Sequence, residues 1–314
     1  MNNFFSLRNI KDLQAMLKKG IETKNNPLAN LELGKNKTLC LIFFNSSLRT
    51  RLSSQKAAYN LGMNVITLNV GTDGWQLESS DGAVMDEGKA EHIKDAAQVV
   101  SEYSDVIGIR CFAGLEDRIE DYQEVVLRGF MKHATVPVIN LESSTLHPLQ
   151  SFADLITIET NKTKPRPKVV LTWAPHPRAL PQAVANSFVE WMTEADVDFV
   201  VTHPPGYELA PKYRTKASIE YDQEKAFKGA DFIYAKNWSS FMEYGEILPT
   251  SKDWMITKKK MDLTNNGKFM HCLPVRRNVV VADEVLDSQN SLHIEQAGNR
   301  VVSIQTILQE FLSK

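Results

Sequence analysis

The 314-residue sequence has few features of a secreted, membrane-bound or nucleic-acid-binding protein. Its three cysteines are an odd number without CxxC spacing, which argues against a disulfide framework and a structural zinc site. Arg8 and Lys11 interrupt the N-terminus before an apolar run reaches signal-peptide length, and no later run is long enough to cross a bilayer. A formal net charge of −2 leaves no excess of basic residues for nucleic acid or a membrane surface. We expect a cytoplasmic protein with neither partner.

Common cofactor and metal motifs are also missing. No GxGxxG follows a strand-like run, no GxxxxGK[ST] loop is present, and none of the seven histidines pairs at HxxxH spacing. These absences argue against dinucleotide-dependent and nucleotide-dependent chemistry. We expect no cofactor and no metal.

The sequence does contain a regular alternation of short apolar runs and amphipathic stretches. The runs are rich in β-branched residues and lack polar alternation, as expected for strands covered on both faces by helices. They lie at 38–44, 64–68, 105–110, 136–140, 168–173, 198–203 and 231–235. Helices are predicted at 50–61 and 90–103. The pattern predicts an α/β fold with two domains, each a mostly parallel sheet flanked by helices.

A change of composition marks the expected domain boundary. The stretch LHPLQSFADLITIETNKTKPRPK reads as a helix followed by a polar, proline-containing linker. We predict one domain over 1–150 and a second over 151–298. The segment 299–314 has apolar residues at helical spacing and is predicted to be a helix that returns to the first domain.

The first candidate site is SSLRTR, where a strand is expected to end at Phe44 and a helix to begin near Thr50. The N-terminus of a helix offers unpaired N–H groups and a partial positive charge, and Arg49 and Arg51 add guanidinium forks. This arrangement suits a phosphate. A simpler explanation is a helix capped by a serine, with both arginines in surface ion pairs.

Two further stretches carry groups that suit a carbonyl compound. In HPLQ, His147 and Gln150 lie a helical turn apart, so that imidazole and amide N–H groups can donate to one carbonyl oxygen. The stretch HCLPVRRN stops at Pro274 and continues with Arg276 and Arg277. Taken singly, a structural histidine and a strand end with solvated charges explain these stretches equally well.

Together and in this order, the three stretches resemble the SxRTR, HPxQ and HCLP signatures of the aspartate and ornithine carbamoyltransferases. The resemblance spans nearly the whole chain. It implies an enzyme that moves a carbamoyl group from carbamoyl phosphate to an amine. It also implies that Cys272 acts by position and polarity, because the family needs no thiolate intermediate.

The resemblance assigns roles to individual residues. Catalytic roles fall on Arg49, Arg110, His147, Gln150 and Cys272. Carbamoyl phosphate is expected to contact Ser47, Leu48, Arg49, Thr50, Trp75, Arg110, His147, Pro148, Leu149, Gln150, Cys272, Leu273 and Arg300. Trp75 is expected to reach the site of a neighbouring subunit, which implies a homotrimer with shared active sites. Its alternative interpretation is a tryptophan packed at the base of a loop.

The expected acceptor is an acylated ornithine. The DxxxSMG motif, with which ornithine enzymes bind a free α-amino group, is absent, and Lys236 in YAKNW places a cation there instead. YAKNW and WAPHPRALPQAVANSF resemble the acylornithine branch of the family, which acts in arginine biosynthesis. That resemblance implies acceptor contacts at Glu142, His176, Lys236 and Arg276.

Two positions bear on the acyl group. The acetyl branch has glutamate where this chain has Ala90, and a modified lysine where this chain has Val280. Removing the glutamate leaves room for a succinyl carboxylate beside the acyl tail, although the succinyl branch can carry proline there. We therefore expect Ala90 to contact N-succinylornithine, with N-succinylcitrulline and phosphate as products. N-acetylornithine is the alternative acceptor.

Two other classes of protein are consistent with parts of the sequence. A catalytically silent phosphometabolite-binding protein could keep the phosphate motif, but it would not need the second cluster of motifs. A dinucleotide-dependent dehydrogenase shares the strand–helix rhythm but lacks the glycine fingerprint.

Overall fold

The structure, a computed structural model, describes residues 1–86, 88–215, 217–249 and 252–313. Lys314, the last residue of the predicted C-terminal segment, lies outside the described residues. The chain divides into two compact units. Unit 1 comprises Met1–Gly114, Ile119–Leu149 and Arg300–Lys314, and unit 2 comprises Leu115–Arg118 and Gln150–Asn299. Each unit contains its own parallel sheet, which confirms the predicted α/β class.

The first half of the chain builds a four-stranded sheet. After a 3-10 helix (Leu7–Asn9), the elements are α1 (Leu13–Asn25), β1 (Thr38–Phe43), α2 (Arg49–Asn60), β2 (Asn64–Asn69), β3 (Leu77–Glu78), β4 (Glu91–His92), α3 (Ile93–Glu102), β5 (Val106–Arg110), α4 (Arg118–Gln123), α5 (Val125–His133) and β6 (Val138–Glu142). The strand order is β2-β1-β5-β6, and the neighbours pair in parallel. Strands β5 and β6 are buried along their whole length, which explains their lack of polar alternation.

The second half builds a five-stranded sheet in unit 2. Its elements are α6 (Pro148–Asn161), β7 (Lys168–Trp173), α7 (Ala183–Met192), β8 (Asp198–Thr202), α8 (Pro211–Arg214), β9 (Ser218–Glu220), α9 (Gln223–Phe227), β10 (Phe232–Lys236), a 3-10 helix (Lys252–Trp254), α10 (Lys258–Met261), β11 (Lys268–Met270), α11 (Asp283–Leu286) and α12 (His293–Leu312). The order is β11-β10-β7-β8-β9, again with parallel neighbours.

The C-terminal helix α12 packs back as predicted, but it begins at His293 and not at 299. Within unit 1, the Thr23 hydroxyl donates to Gln309 at 3.1 Å, and the Asn60 amide donates to Gln305 at 2.9 Å. These buried polar contacts, together with the apolar side of the helix, hold its end against unit 1.

The short segment 115–118 belongs to unit 2 although the sequence predicts a first domain that is continuous to 150. Arg118 donates to the Phe241 carbonyl at 2.6 Å, and its guanidinium lies 4.4 Å from the centre of the Phe241 ring. These contacts, which no local pattern encodes, hold the segment in unit 2.

The remaining differences concern short elements. Strands β3, β4 and β9 are two or three residues long and are not predicted, since runs of this length carry no detectable periodicity. Strand β11 is equally short, but it lies where the alternative interpretation of the HCLPVRRN stretch places a strand end. The helix predicted from 90 begins at Ile93, because Glu91 and His92 form β4. In the described part of the chain, no helix combines the length and apolar character needed to cross a bilayer.

Candidate active site

Three neighbouring strands of unit 1 end at the same edge of the sheet. The chain leaves β1 after Phe43, β5 ends at Arg110, and β6 ends at Glu142. The strand register pairs Phe43 with Arg110 and Arg110 with Glu142. Ligands of parallel α/β sheets bind outside the carboxyl ends of the strands, so this edge is the expected location of a site.

The loop between β1 and α2, together with the first turn of α2, carries the residues predicted to bind phosphate. The Ser47 hydroxyl accepts the backbone N–H of Thr50 at 3.3 Å. The N-cap residue itself is Leu48, which has no side-chain cap and is 66% exposed. The Nε of Arg49 is buried without a hydrogen-bond partner among the described residues. Arg51, in contrast, donates to Asn69 and lies 4.9 Å from the centre of the Phe43 ring. Arg51 therefore has structural contacts, where the sequence suggested a second phosphate fork.

Arg110 is buried and joins this loop to the end of β6. Its Nη1 donates to the carbonyls of Asn45 and Ser46 at 3.1 and 2.9 Å, and its Nε donates to Glu142 Oε2 at 3.1 Å. Because each of these bonds involves a charged group, they fix the loop more firmly than neutral hydrogen bonds.

A second chain of contacts links Glu142 to the C-terminal helix. His147 Nε2 lies 3.7 Å from Glu142 Oε2 and 3.4 Å from Arg300 Nη2. Arg300 Nη2 also donates to the Thr50 hydroxyl at 2.6 Å. All four side chains are at least nine-tenths buried. The structure thus brings together residues that lie up to 250 positions apart in the chain.

We call Arg49, Thr50, Arg110, Glu142, His147 and Arg300 the arginine cluster. It contains three guanidinium groups and one carboxylate, and it lies at the first turn of α2. The positive charge is therefore only partly neutralised within the cluster. Such a site suits an anion with more than one negative charge, since burial strengthens the attraction that each cation exerts.

Glu124 supports the segment between Glu142 and His147. Its backbone is left-handed at φ 50°, and its Oε1 accepts from the Ser143 hydroxyl at 2.5 Å and from the N–H and hydroxyl of Thr145 at 2.9 and 2.8 Å. The left-handed conformation costs roughly 1–2 kcal/mol for such a residue, which these bonds offset. No motif in the sequence indicates this role of Glu124.

Unit 2 repeats the arrangement at its own sheet edge. His176 follows β7, Lys236 ends β10, and the HCLP stretch follows β11. The strands are neighbours, and the register pairs Lys236 with Trp173 at the end of β7. The predicted acceptor residues of unit 2 therefore lie at the carboxyl ends of adjacent strands.

His176 is surrounded by cations. Burial lowers its pKa, and the nearby charges of Lys236, Arg276 and Arg178 lower the pKa further, against the opposing effect of a hydrogen bond to the Arg178 carbonyl at 2.8 Å. Neither Lys236 nor Arg276 has a side-chain ion pair or hydrogen bond within the described residues. We call these four residues the cation cluster. Arg178 had not been singled out in the sequence.

Arg277, next in the chain to Arg276, is used differently. It donates to Asp283 at 2.8 Å and to both oxygens of Asp287 at 2.8 and 2.7 Å. Of these two adjacent arginines, only Arg276 is therefore available to a ligand.

A cavity of about 50 Å³ lies beside the cation cluster. It is lined by Trp173, His176, Arg178, Tyr207, Trp238 and Glu246, among others.

Gln150 and the HCLP stretch are joined by buried amides. Gln150 Nε2 donates to Asp154 Oδ1 at 2.8 Å, Gln296 Nε2 donates to the same oxygen at 2.7 Å, and Gln296 Oε1 accepts the backbone N–H of His271 at 2.8 Å. We call Gln150, Asp154, Gln296 and His271 the amide relay. Gln150 Oε1 is buried and has no hydrogen-bond partner in the described part of the chain.

The HCLP turn has an unusual backbone. Leu273 is left-handed at φ 56°, its N–H donates to His271 Nδ1 at 2.9 Å, and the Leu273–Pro274 peptide bond is cis. Cys272 is buried and forms no disulfide with another described cysteine. Burial raises the pKa of the neighbouring Tyr234 well above its ordinary value, with Asp154 and Cys272 adding to the effect. A left-handed leucine is typical of functional turns that other contacts hold in place.

The remaining residues that the sequence singled out differ in burial. Pro148 begins α6 and Leu149 is buried, whereas Val280 belongs to the core of unit 2. Trp75 is 59% exposed and donates to Glu91 Oε2 at 2.8 Å, so it is not packed at the base of its loop. Ala90, next to Glu91, is exposed. Among the described residues, no three His, Cys, Asp or Glu side chains are arranged to hold a metal ion.

The fold and these clusters define a class: an α/β protein of two parallel-sheet units, with an anion site built from arginines in one unit and an array of available cations in the other. Family models agree. The aspartate/ornithine carbamoyltransferase carbamoyl-P binding domain matches residues 2–160, and the Asp/Orn binding domain matches residues 181–311. The chain belongs to the aspartate/ornithine carbamoyltransferase family and is a carbamoyltransferase.

Individual relatives cover nearly the whole chain. It is 54% identical to an N-succinylornithine carbamoyltransferase of Bacteroides fragilis (strain 638R), with 99% of each chain aligned. It is 38% identical to an N-acetylornithine carbamoyltransferase of Xanthomonas campestris pv. campestris, over 92% of this chain and 91% of that protein. A crystal structure of acetylornithine transcarbamylase complexed with acetylcitrulline superimposes with a TM-score of 0.93 at 35% identity, covering 99% of both chains.

Proposed function

We propose that this carbamoyltransferase transfers the carbamoyl group of carbamoyl phosphate to the side-chain amine of N-succinylornithine, in arginine biosynthesis. The products are N-succinylcitrulline and phosphate. The observation that carries the proposal is the arginine cluster, whose positive charge is only partly neutralised. The acyl type is supported by 54% identity to a protein named N-succinylornithine carbamoyltransferase, against 38% to one named for N-acetylornithine.

Carbamoyl phosphate is the proposed ligand of the arginine cluster. Its phosphate is bound by the first turn of α2, through Ser47, Leu48 and Thr50, and by the guanidinium groups of Arg49, Arg110 and Arg300. Phosphate leaves as an anion and negative charge grows on the carbonyl oxygen, to which His147 donates. Donors fixed in advance stabilise this transition state more than the ground state.

Gln150 has a more specific role in this proposal than its sequence position indicated. Its amide N–H group is bound to Asp154, so the atom available to a ligand is the acceptor Oε1. An acceptor suits the carbamoyl NH₂ group and not the carbonyl oxygen. Cys272 and Leu273 are the proposed neighbours of the carbamoyl group and the attacking amine, and Pro148 and Leu149 complete the contacts of the HPLQ stretch.

N-succinylornithine carries two carboxylates, which the cation cluster suits. The available Lys236 and Arg276 provide opposite charge, and neutral His176 donates or accepts a hydrogen bond. A free α-ammonium group would be repelled by the same cations, which disfavours unmodified ornithine. Glu142 and Ala90 are the proposed acceptor contacts in unit 1.

A direct test assays carbamoyl phosphate with ornithine, N-acetylornithine and N-succinylornithine in parallel, measuring both the citrulline product and phosphate. We expect the highest kcat/KM with N-succinylornithine. Preference for N-acetylornithine would overturn the acyl assignment alone, whereas no turnover with any acceptor would overturn the proposed activity.

We also propose a cytoplasmic homotrimer in which exposed Trp75 contributes to a neighbouring active site. Unit 1 then serves as the carbamoyl-phosphate-binding domain and unit 2 as the acylornithine-binding domain. Co-expression of Trp75→Ala and Arg49→Ala subunits tests the shared site, because a mixed oligomer contains some sites with both side chains intact. We expect more activity than in either variant alone; no gain in verified mixed oligomers contradicts sharing.

A further inference from the structure

The donor and acceptor atoms of the amide relay can be assigned from hydrogen-bond chemistry alone, whichever way round each amide group is drawn. A backbone N–H can only donate, so the Gln296 atom that contacts the His271 N–H must be the oxygen. The NH₂ group of Gln296 then points to Asp154, whose Oδ1 must accept. A carboxylate oxygen has no proton to donate, so every group that contacts it must be a donor. The acceptor Oδ1 in turn requires the NH₂ group of Gln150.

The hydrogen bond between Asp154 and Gln150 determines which amide atom of Gln150 is available to a ligand. With its NH₂ group bound to Asp154, Gln150 presents Oε1, a buried atom that has no hydrogen-bond partner within the described parts of the chain. A free glutamine side chain turns either its oxygen or its NH₂ group towards a ligand, because the two orientations are nearly equal in shape. Asp154 removes that freedom.

We propose that Asp154 is a positioning residue that acts through Gln150: it orients the Gln150 amide so that Oε1 faces the carbamoyl NH₂ group. This inference rests on the proposed function. Asp154 is completely buried, and the relay also holds the backbone of the HCLP turn through Gln296. The sequence offered no reason to single out Asp154 or Gln296.

A neighbouring contact separates positioning from simple stabilisation. One turn further along the same pair of helices, Asn299 donates to the Thr157 hydroxyl at 2.8 Å, and both residues are buried. This bond joins α6 to α12 as the relay does, but it does not reach Gln150. Thr157→Val is therefore a matched control that removes a buried bond between the same helices.

The experiment compares Asp154→Leu, Asp154→Asn and Thr157→Val in the full-length enzyme. In Asp154→Leu the Gln150 amide loses its partner and is free to rotate, so we expect kcat to fall by about 10- to 100-fold. KM for carbamoyl phosphate stays near the wild-type value, because the arginine cluster binds the phosphate. Asp154→Asn retains an acceptor oxygen and is expected to keep most of kcat. Thr157→Val is expected to lower the unfolding temperature without lowering kcat.

A double-mutant cycle gives the decisive result. If Asp154 acts through Gln150, then Asp154→Leu has no further effect on kcat when Gln150 is already alanine. Equal losses of kcat in Asp154→Leu and Thr157→Val, additive losses in the cycle, or wild-type kcat in Asp154→Leu would each overturn the inference. Should Asp154→Leu fail to fold, Gln296→Leu tests the relay from its other end, with a smaller loss of kcat expected and wild-type kcat contradicting the relay. Failure of the proposed function is distinct, since the wild-type enzyme would then be inactive in the same assay.

Discussion

The two units place their sites at the same edge of their sheets but use different polar groups in them. Both use the carboxyl ends of three adjacent parallel strands. In unit 1 the charged groups contact one another: Arg110 binds Glu142, and Arg300 contacts both Thr50 and His147. In unit 2 the cations Lys236 and Arg276 have no partner among the described residues, while amide side chains form part of its buried hydrogen-bond network.

This difference indicates different degrees of preorganisation. The arginine cluster is held by its own hydrogen bonds and keeps an excess of positive charge, as suits a small dianion that must be bound in one geometry. The cation cluster leaves its charges available to a longer and more flexible ligand. Loss of one charge is therefore expected to affect catalysis most in unit 1 and acceptor binding most in unit 2.

The largest effect is expected for Arg49→Ala. It removes a donor whose Nε has no hydrogen-bond partner in the part of the chain that the structure describes, and by analogy with oxyanion holes kcat should fall by roughly 10²- to 10³-fold. Steady-state assays with saturating acceptor measure this loss. The matched control is Arg51→Ala on the same helix, where the loss of the Asn69 contact should mainly lower stability. Equal loss of kcat in the two variants would contradict the difference in role.

The second comparison uses adjacent arginines in unit 2. Arg276→Ala should raise KM for the acylornithine by about 10- to 100-fold, since a charge-assisted hydrogen bond contributes about 1.5–3 kcal/mol. KM for carbamoyl phosphate should change little. Arg277→Ala breaks the contacts to Asp283 and Asp287 and should lower the unfolding temperature instead. A larger acceptor effect at Arg277 would reverse the assignment.

A smaller effect is expected at Ala90, which is exposed. Ala90→Glu introduces a carboxylate that repels the succinyl carboxylate, so the ratio of kcat/KM for N-succinylornithine to that for N-acetylornithine should fall. Ala90→Gln has a similar shape without the charge and serves as the control. An unchanged ratio in Ala90→Glu would remove position 90 from the specificity argument.

The smallest effect concerns stability in acid. Burial lowers the pKa of His203 in unit 2, against the opposing effects of the Pro204 carbonyl and Glu208. The unfolded chain therefore takes up a proton near pH 6.5 while the folded chain does not, and the contribution of His203 to stability, present above about pH 6.5, is lost as the pH falls. Urea unfolding at about pH 7.5 and about pH 5.5 should show a smaller loss for His203→Gln than for the wild type. An equal loss would assign the acid sensitivity to other groups.

The long elements of the fold could be predicted because their signals are local. Strands such as β1 and β7 coincide with the predicted runs to within a residue, since a strand buried on both faces must be apolar throughout. The short β9 carries no such signal. Of the site, the ligand-facing candidates came from motifs, whereas Glu124, Asp154 and Gln296 did not, because residues that act on other side chains are defined only by their neighbours.

The α/β class, the family and the residue types that suit a phosphorylated carbonyl compound can all be predicted from the amino-acid sequence, because they depend on periodicity and on motifs a few residues long. The fold determines which polar atoms are engaged and which remain available. Arg51 binds Asn69, Arg49 Nε has no hydrogen-bond partner among the residues described, and Gln150 presents its oxygen. The physical reason is that a hydrogen bond requires two atoms about 3 Å apart, and the partner of Thr50 lies 250 positions away in the chain.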